Sequence, residues 1–252
     1  TLSEKYLDCE IYLSDKITDS EYVGNSDVST MLHNREYHCI SDLHLGVSLR
    51  SFRSEKLALF VKCLLDEEIE LAKETYEELK KSYPVLITRK FDVAKNWVKK
   101  KARGTERYGL LASSEGKRLR AEGIWVPSEI NHVGWFLNEK DNVDSSYYLE
   151  VAASEFKVQG LEIDYAVLAW DADLRYTSNG FDYFKFRGTK WNHVNQEQRQ
   201  HYLKNAYRVL MTRARQGLII YIPEGDEEDP SRLTEYYEGT YQYLKHVGIK
   251  EI

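Results

Sequence analysis

A chain of 252 residues, 42% hydrophobic and 13% aromatic, carries enough apolar mass to fill one large α/β core or two small ones, which excludes global disorder. Its 35 Lys and Arg against 41 Asp and Glu leave a formal net charge of −6, a balance that by itself argues against a polyanionic partner. No run approaches the roughly 18 apolar residues of a membrane span, and the first residues lack the charged-then-apolar pattern of a secretory signal. A cytoplasmic protein with no membrane partner is expected. Cys9, Cys39 and Cys63 are odd in number and form no CxxC pair, which argues against a disulfide framework and against a Cys-rich zinc site. The chain opens on Thr rather than Met, so it is expected to be part of something longer.

In chain order, residues 1–40 are acidic and polar and read as a peripheral segment or interdomain remnant. A short apolar run, His38–Ser41, then opens a series of strand-like segments: Val85–Thr88, Tyr108–Ala112, Ala166–Trp170 and Leu218–Ile222. Between the first two lies one long helix, about Ser54 to Lys81, with Leu57, Phe60, Val61, Leu64 and Leu65 at helical spacing. Further helices are expected at about Asp92 to Lys101 and about Gln196 to Arg213. The alternation predicts an α/β fold, a mainly parallel sheet with helices on both faces over 41–222, with the functional surface at the carboxyl ends of the strands. Residues 223–252 read as an acidic, proline-bounded loop and a terminal helix carrying Leu233, Tyr236, Tyr237 and Tyr241.

Charge is spread unevenly. From Arg89 to Arg120 there are eleven basic residues and three acidic ones, a local +8 that leaves −14 on the rest. Such a segment, with Lys99, Lys100 and Lys101 at its centre, is the footprint of a nucleic-acid backbone track; the alternative is a solvated helix face.

Two short motifs bear on phosphate chemistry. Ile40-Ser41-Asp42-Leu43-His44-Leu45-Gly46 resembles the first metal motif of calcineurin-like phosphoesterases, in which the Asp and His ligate one ion of a two-metal centre. A two-metal site needs many more oxygen and nitrogen donors, and the other histidines stand in no matching context. Gly116-Lys117 follows a strand as in a P-loop, but Leu111 and Arg118 stand where a glycine and a Ser or Thr are required. The 252 residues contain no P-loop.

The longer signals lie downstream. Phe156-Lys157-Val158-Gln159-Gly160-Leu161-Glu162-Ile163-Asp164 and Tyr207-Arg208-Val209-Leu210-Met211-Thr212-Arg213-Ala214-Arg215 resemble motifs V and VI of superfamily 1 helicases, in the right order and each beside a strand. Leu45 to Ser51 is similar to motif IV, with Arg50 at its arginine and Arg53 as a substitute. With Leu86-Ile87-Thr88-Arg89, Arg107 to Ser114, and Trp170-Asp171-Ala172-Asp173-Leu174, the likeness extends to the DUF2075 family and the related schlafen helicase domain, over most of the chain. The resemblance implies a RecA-like second domain of the P-loop NTPase superfamily that lacks the P-loop. ATP and Mg²⁺ would be held mainly by an N-terminal RecA-like domain, with Arg213 and Arg50 catalytic and Gly160, Glu162 and Arg208 on the nucleotide.

A single strand of DNA or RNA would meet Gln159, Ser113, Ser114, Lys99, Lys100 and Lys101, and no metal ligand is expected within this chain. Residue chemistry agrees for Arg213. Tyr202, Ala206 and Val209 form a stripe read as inward-facing, and Arg213 continues it at i+4, where a cation is costly unless it faces an anion or a cleft. A permanently charged planar guanidinium suits a transferring phosphoryl group. Trp97, Trp135, Trp170 and Trp191 could stack bases but are expected mostly in the core. The alternatives are the phosphoesterase built on Asp42 and His44, and a non-catalytic nucleic-acid-binding module. The domain alone is expected to be inactive.

Overall fold

The structure, a computed structural model, describes residues 8–15, 32, 35–43 and 52–252. It divides into two compact units, Thr1–Leu49 and Arg50–Ile252. In the first, β1 (Tyr12–Ser14) pairs in parallel with β2 (His38–Ile40), and a 3₁₀ turn, Ser41–Leu43, follows. The His38 run was expected to open the main sheet. All three β2 residues are exposed, so they have no apolar face to bury inside one, and the run pairs with β1 instead.

The second unit is an α/β layer fold. Its five strands stand in the order β10-β3-β9-β5-β4, every neighbouring pair parallel: β3 (Val85–Thr88), β4 (Tyr108–Ala112), β5 (Ile163–Ala169), β9 (Ala214–Tyr221) and β10 (Lys250–Glu251). Both β4 and β5 are buried along their whole length, the signature of a parallel sheet covered on both faces. The pleat sends Ala166 and Leu168 into one core with Leu203, Tyr207 and Leu210, and Val167 and Ala169 into another with Ala94 and Val98. Helices α1 (Phe52–Leu65), α2 (Ile69–Leu79), α5 (Glu197–Met211) and α6 (Glu235–His246) thus cover the first face, and α3 (Phe91–Lys101) the second. A short helix α4, His132–Leu137, lies in the connection from β4 to β5.

The single helix expected from Ser54 to Lys81 is two. In a straight helix Phe60 and Tyr76 would stand about 24 Å apart; here their ring centroids are 5.5 Å apart. The chain reverses at Asp66-Glu67-Glu68, with Glu67 at a φ of 64°. Three successive carboxylates oppose the negative end of the α1 dipole. Two of them gain partners there: Glu67 accepts the Phe181 amide at 3.1 Å, and Asp66 pairs with Lys204 at 2.6 Å and Arg208 at 3.3 Å. Burial alone would raise the Asp66 pKa, but Lys204, Lys62 and Arg208 together hold it below the ordinary value.

An antiparallel three-stranded sheet inserted between β5 and α5 was not anticipated: β6 (Leu174–Thr177), β7 (Gly180–Arg187) and β8 (Lys190–His193). The segment 223–252 supplies α6 and the edge strand β10, and buries Tyr237, Tyr241, Tyr243 and Leu244 in the first core. Helix α6 lies directly on β6: the Tyr176 and Tyr243 rings stack at 3.8 Å between centroids, and the Tyr176 amide donates to Thr240 Oγ1 at 2.9 Å. Gly239 permits this approach, since a Cβ there would fall on the Tyr176 carbonyl oxygen.

Candidate functional site

The motif residues gather at the amino ends of β5 and β9, not at the carboxyl ends. The register sets Ile163 beside Ala214, and the Ile163 amide donates to the Arg213 carbonyl at 3.1 Å. Glu162 and Arg213 therefore stand side by side, each one residue before its strand. The reason is connectivity: α5 runs antiparallel to the strands and delivers Arg213 to the sheet's lower edge, where the loop after Ser154 also arrives. Arg213 is 9% exposed, and its Nε donates to the Val209 carbonyl at 3.1 Å. Gly160 turns the loop into β5 with a φ of +83°, which favours glycine, and nothing lies within 4 Å of where its Cβ would be. Arg215, two residues beyond Arg213, is tied to Asp164 at 2.8 Å.

The stripe read as inward needs correction. Tyr202 is 63% exposed and Ala206 is buried, while α5 meets the core through Leu203, Tyr207, Leu210 and Met211. Tyr202, Ala206 and Val209 instead line a groove that Arg199 and Leu203 share. Arg213 follows the helix C-cap, Thr212, and is not among the residues that line this groove. Arg208 points elsewhere: with Lys204 it closes on Asp66 at the end of α1, and it also donates to Asn205 at 2.8 Å. Those contacts place it in an internal ion cluster.

Other expected residues scatter. Ser113 is fully buried at the end of β4, accepts the Glu115 amide at 3.2 Å and hydrogen-bonds to Asp173, so it has no surface to offer a phosphate. Ser114 lines the groove, but its hydroxyl and amide both bind Glu155, at 2.7 and 2.9 Å. Gln159 is exposed in the same groove. Lys99, Lys100 and Lys101 are exposed at the end of α3, on the opposite face of the sheet from α5. The +8 segment is not one track. Lys95 pairs with Asp92, Arg118 with Asp229, Arg89 with Glu238, and Arg107 donates inward to the Asn138 carbonyl and stacks on Tyr147. Arg50 and His44 lie outside the described residues; Asp42 is exposed in the 3₁₀ turn of the first unit. Among the described residues no three His, Cys, Asp or Glu side chains group as a metal site. No described helix is long and apolar enough to cross a membrane.

At the carboxyl end of β5, Asp171 and Asp173 are both fully buried. Asp171 accepts from the Arg118 amide at 2.8 Å and from Tyr237 at 3.1 Å; Asp173 accepts from Tyr207 at 2.6 Å, and its second oxygen has no partner. Burial first, and then the Asp171 charge, push the Asp173 pKa up to about 8 from 3.8. The folded protein thus keeps a proton that the unfolded chain releases near pH 4, so this site's contribution to stability falls as pH rises toward 8. Asp173→Asn is expected to melt close to the parent at pH 5 and to be more stable at pH 9 by at least about 2 kcal/mol, roughly 4–8 °C in Tm. A pH-independent gap between the two melting curves would contradict this.

Trp135 and Trp170 are core residues, Trp97 packs edge-on against Tyr165, and Trp191 donates to the Ser231 carbonyl at 2.8 Å. The exposed aromatics beside the motifs are Phe156, 71% exposed, and Tyr202, neither singled out for stacking from the sequence. Tyr202 was hidden by its helical spacing with Ala206 and Val209, which reads as an inward stripe, and Phe156 by its place in the motif V-like stretch.

The fold and this arrangement can be set beside known proteins. No curated protein matches the chain. A solved structure described as the C-terminal domain of a possible DNA helicase from Lactobacillus plantarum WCFS1 is similar over 75% of this chain and 92% of that one, at 13% identity and a TM-score of 0.32, too distant to carry inference. The family model described as Schlafen group 3, DNA/RNA helicase domain, matches residues 12–224, and the chain therefore belongs to that family.

Proposed function

We propose that this chain is the second RecA-like domain of a superfamily 1-type DNA/RNA helicase or nucleic-acid-dependent ATPase, close to DUF2075 proteins, working in the cytoplasm. Its partners are an N-terminal RecA-like domain and a single strand of nucleic acid. ATP and Mg²⁺ belong mainly to that first domain, because these 252 residues contain no P-loop and no Ser or Thr in the magnesium-binding position. This chain brings Arg213 as the arginine finger and Gly160 and Glu162 as the rim around it; the role of second arginine is assigned to Arg50, which lies outside the described residues.

The observation that carries this reading is the Ile163–Ala214 register, which supports a shared edge for the two motifs that resemble helicase motifs V and VI. Family membership supports the class of activity. Arg208 is held by Asp66 in an ion cluster and is not assigned to the nucleotide.

A test is labelling with an ATP analogue that carries a photoreactive group on its γ-phosphate, in a protein joining this chain to its first domain. Peptides spanning 159–162 or 209–213 should be labelled. Labelling confined to the first domain would contradict the proposed interface.

A further inference from the structure

We infer that the groove along α5 receives the bases, and not merely the backbone, of a single-stranded nucleic acid, with Phe156 and Tyr202 as stacking platforms and Arg187 and Arg199 on the flanking phosphates. The inference rests on the reading above for its class of ligand and goes beyond it in assigning a track, a mode of contact and, besides Phe156 of the motif V-like stretch, three residues outside the helicase motifs.

Three elements build the groove: the loop after Ser154, the β7–β8 hairpin and one flank of α5. Its volume is about 1080 Å³, above the roughly 300–1,000 Å³ of small-ligand pockets. From Arg199 to Val209 it follows α5 for about 15 Å, the length of roughly four stacked nucleotides.

Its chemistry is specific. Phe156 and Tyr202 are 71% and 63% exposed, a standing cost for rings with no cover of their own. Five amide side chains line the same space, Gln159, Asn192, Asn195, Gln196 and Asn205, and an amide can both donate to and accept from a base edge. The cations are Lys185, Arg187 and Arg199. Lys185 is neutralised by Glu115 at 2.6 Å, and the other groove carboxylate, Glu155, is bound by Ser114. Arg187 and Arg199 are exposed and have no ion pair among the described residues, so their charge is available to phosphates.

Rings, amides and unpaired guanidinium groups together match unstacked bases on a flexible strand better than a duplex, whose bases are already paired. Lys99, Lys100 and Lys101 lie across the sheet and cannot share a strand of a few nucleotides with this groove. The groove face of α5 ends at Val209, whose carbonyl holds Arg213, so one helix carries both the strand surface and the finger.

The test is fluorescence anisotropy of labelled eight-nucleotide DNA and RNA strands with the 252-residue chain, without ATP. Intact strands should bind, and strands with abasic sites at the four central positions should bind at least tenfold more weakly. Phe156→Ala with Tyr202→Ala should produce the same loss on intact strands and almost none on abasic ones. Both positions are exposed, and unchanged circular dichroism would confirm folding. Arg187→Glu with Arg199→Glu should flatten the log–log salt slope by about 1.4. The triple reversal Lys99→Glu, Lys100→Glu, Lys101→Glu should leave affinity within about threefold. Equal affinity for intact and abasic strands, no effect of the ring pair, or no binding of any strand would overturn the inference. Binding lost only in the lysine triple would move the strand to the α3 face and overturn it too. None of these results depends on ATP turnover, so the ATPase reading stands or falls separately.

Discussion

Arg213→Ala is expected to lower strand-stimulated ATP turnover by about 10³-fold in the protein that joins this chain to its first RecA-like domain, while nucleotide affinity changes by no more than roughly threefold. The guanidinium sits at the end of α5, beside Glu162 and at the lower edge of the sheet, outside the interior ion cluster that holds Arg208. A group that stabilises charge only during transfer reduces kcat and spares ground-state binding. Arg213→Lys keeps a positive charge but loses the planar fork, so it should recover only a small part of the loss. A purely structural role predicts a different pattern: Arg213 is 9% exposed and its Nε binds the Val209 carbonyl, so turnover, affinity and melting temperature would then fall together. Steady-state kinetics with a parallel melting curve separate the two.

Gly239→Ala should lower stability by about 3 kcal/mol, roughly 6–12 °C in Tm, although alanine is the better helix former. The new methyl would fall on the Tyr176 carbonyl oxygen, a backbone atom that cannot rotate away. Relief requires α6 to withdraw from β6, which would separate the stacked Tyr176 and Tyr243 rings and stretch the Thr240 hydrogen bond. The hairpin that walls the groove is rooted at β6, so the variant should also bind single strands less well at temperatures where it remains folded. A variant as stable as the parent by thermal melting would mean that the close approach is not needed.

Strand positions were legible in the sequence where a run was nearly all apolar. Val85–Thr88, Tyr108–Ala112 and the start of the Leu218 run are β-strands because strands covered on both faces read as near-continuous apolar runs; the one hydroxyl in the first of these, Thr88, is buried at its strand's end. His38–Ser41 has the same length but a polar residue at each end, and it failed to join the sheet. The inserted sheet is marked in the sequence by Asn179-Gly180 and by the alternating pieces Phe181-Asp182-Tyr183 and Phe184-Lys185-Phe186, but the phase slips at Tyr183-Phe184, which blurs the period of two.

Among the expected site residues, Arg213, Gly160 and Glu162 came from motif resemblance, and all three stand at the amino ends of β5 and β9. That this edge is the amino end of the strands follows from α5 running antiparallel to them, which no local pattern reveals. Ser113 was misjudged because two adjacent serines look alike in sequence; one faces Asp173 in the core and the other Glu155 at the surface. The +8 segment was misjudged because charge counts ignore partners such as Glu238 and Asp229, which lie more than a hundred residues away.

The central claim is that this domain is half of a motor, bringing an arginine to a nucleotide that another domain holds. Its most direct test is ATP turnover by the purified 252-residue chain, alone and with its first RecA-like domain added, in the presence of single-stranded nucleic acid. The account predicts no turnover by the chain alone, turnover on addition of the first domain, and loss of that turnover with Arg213→Ala. Hydrolysis by the chain alone that disappears when one of its own residues is substituted would contradict it.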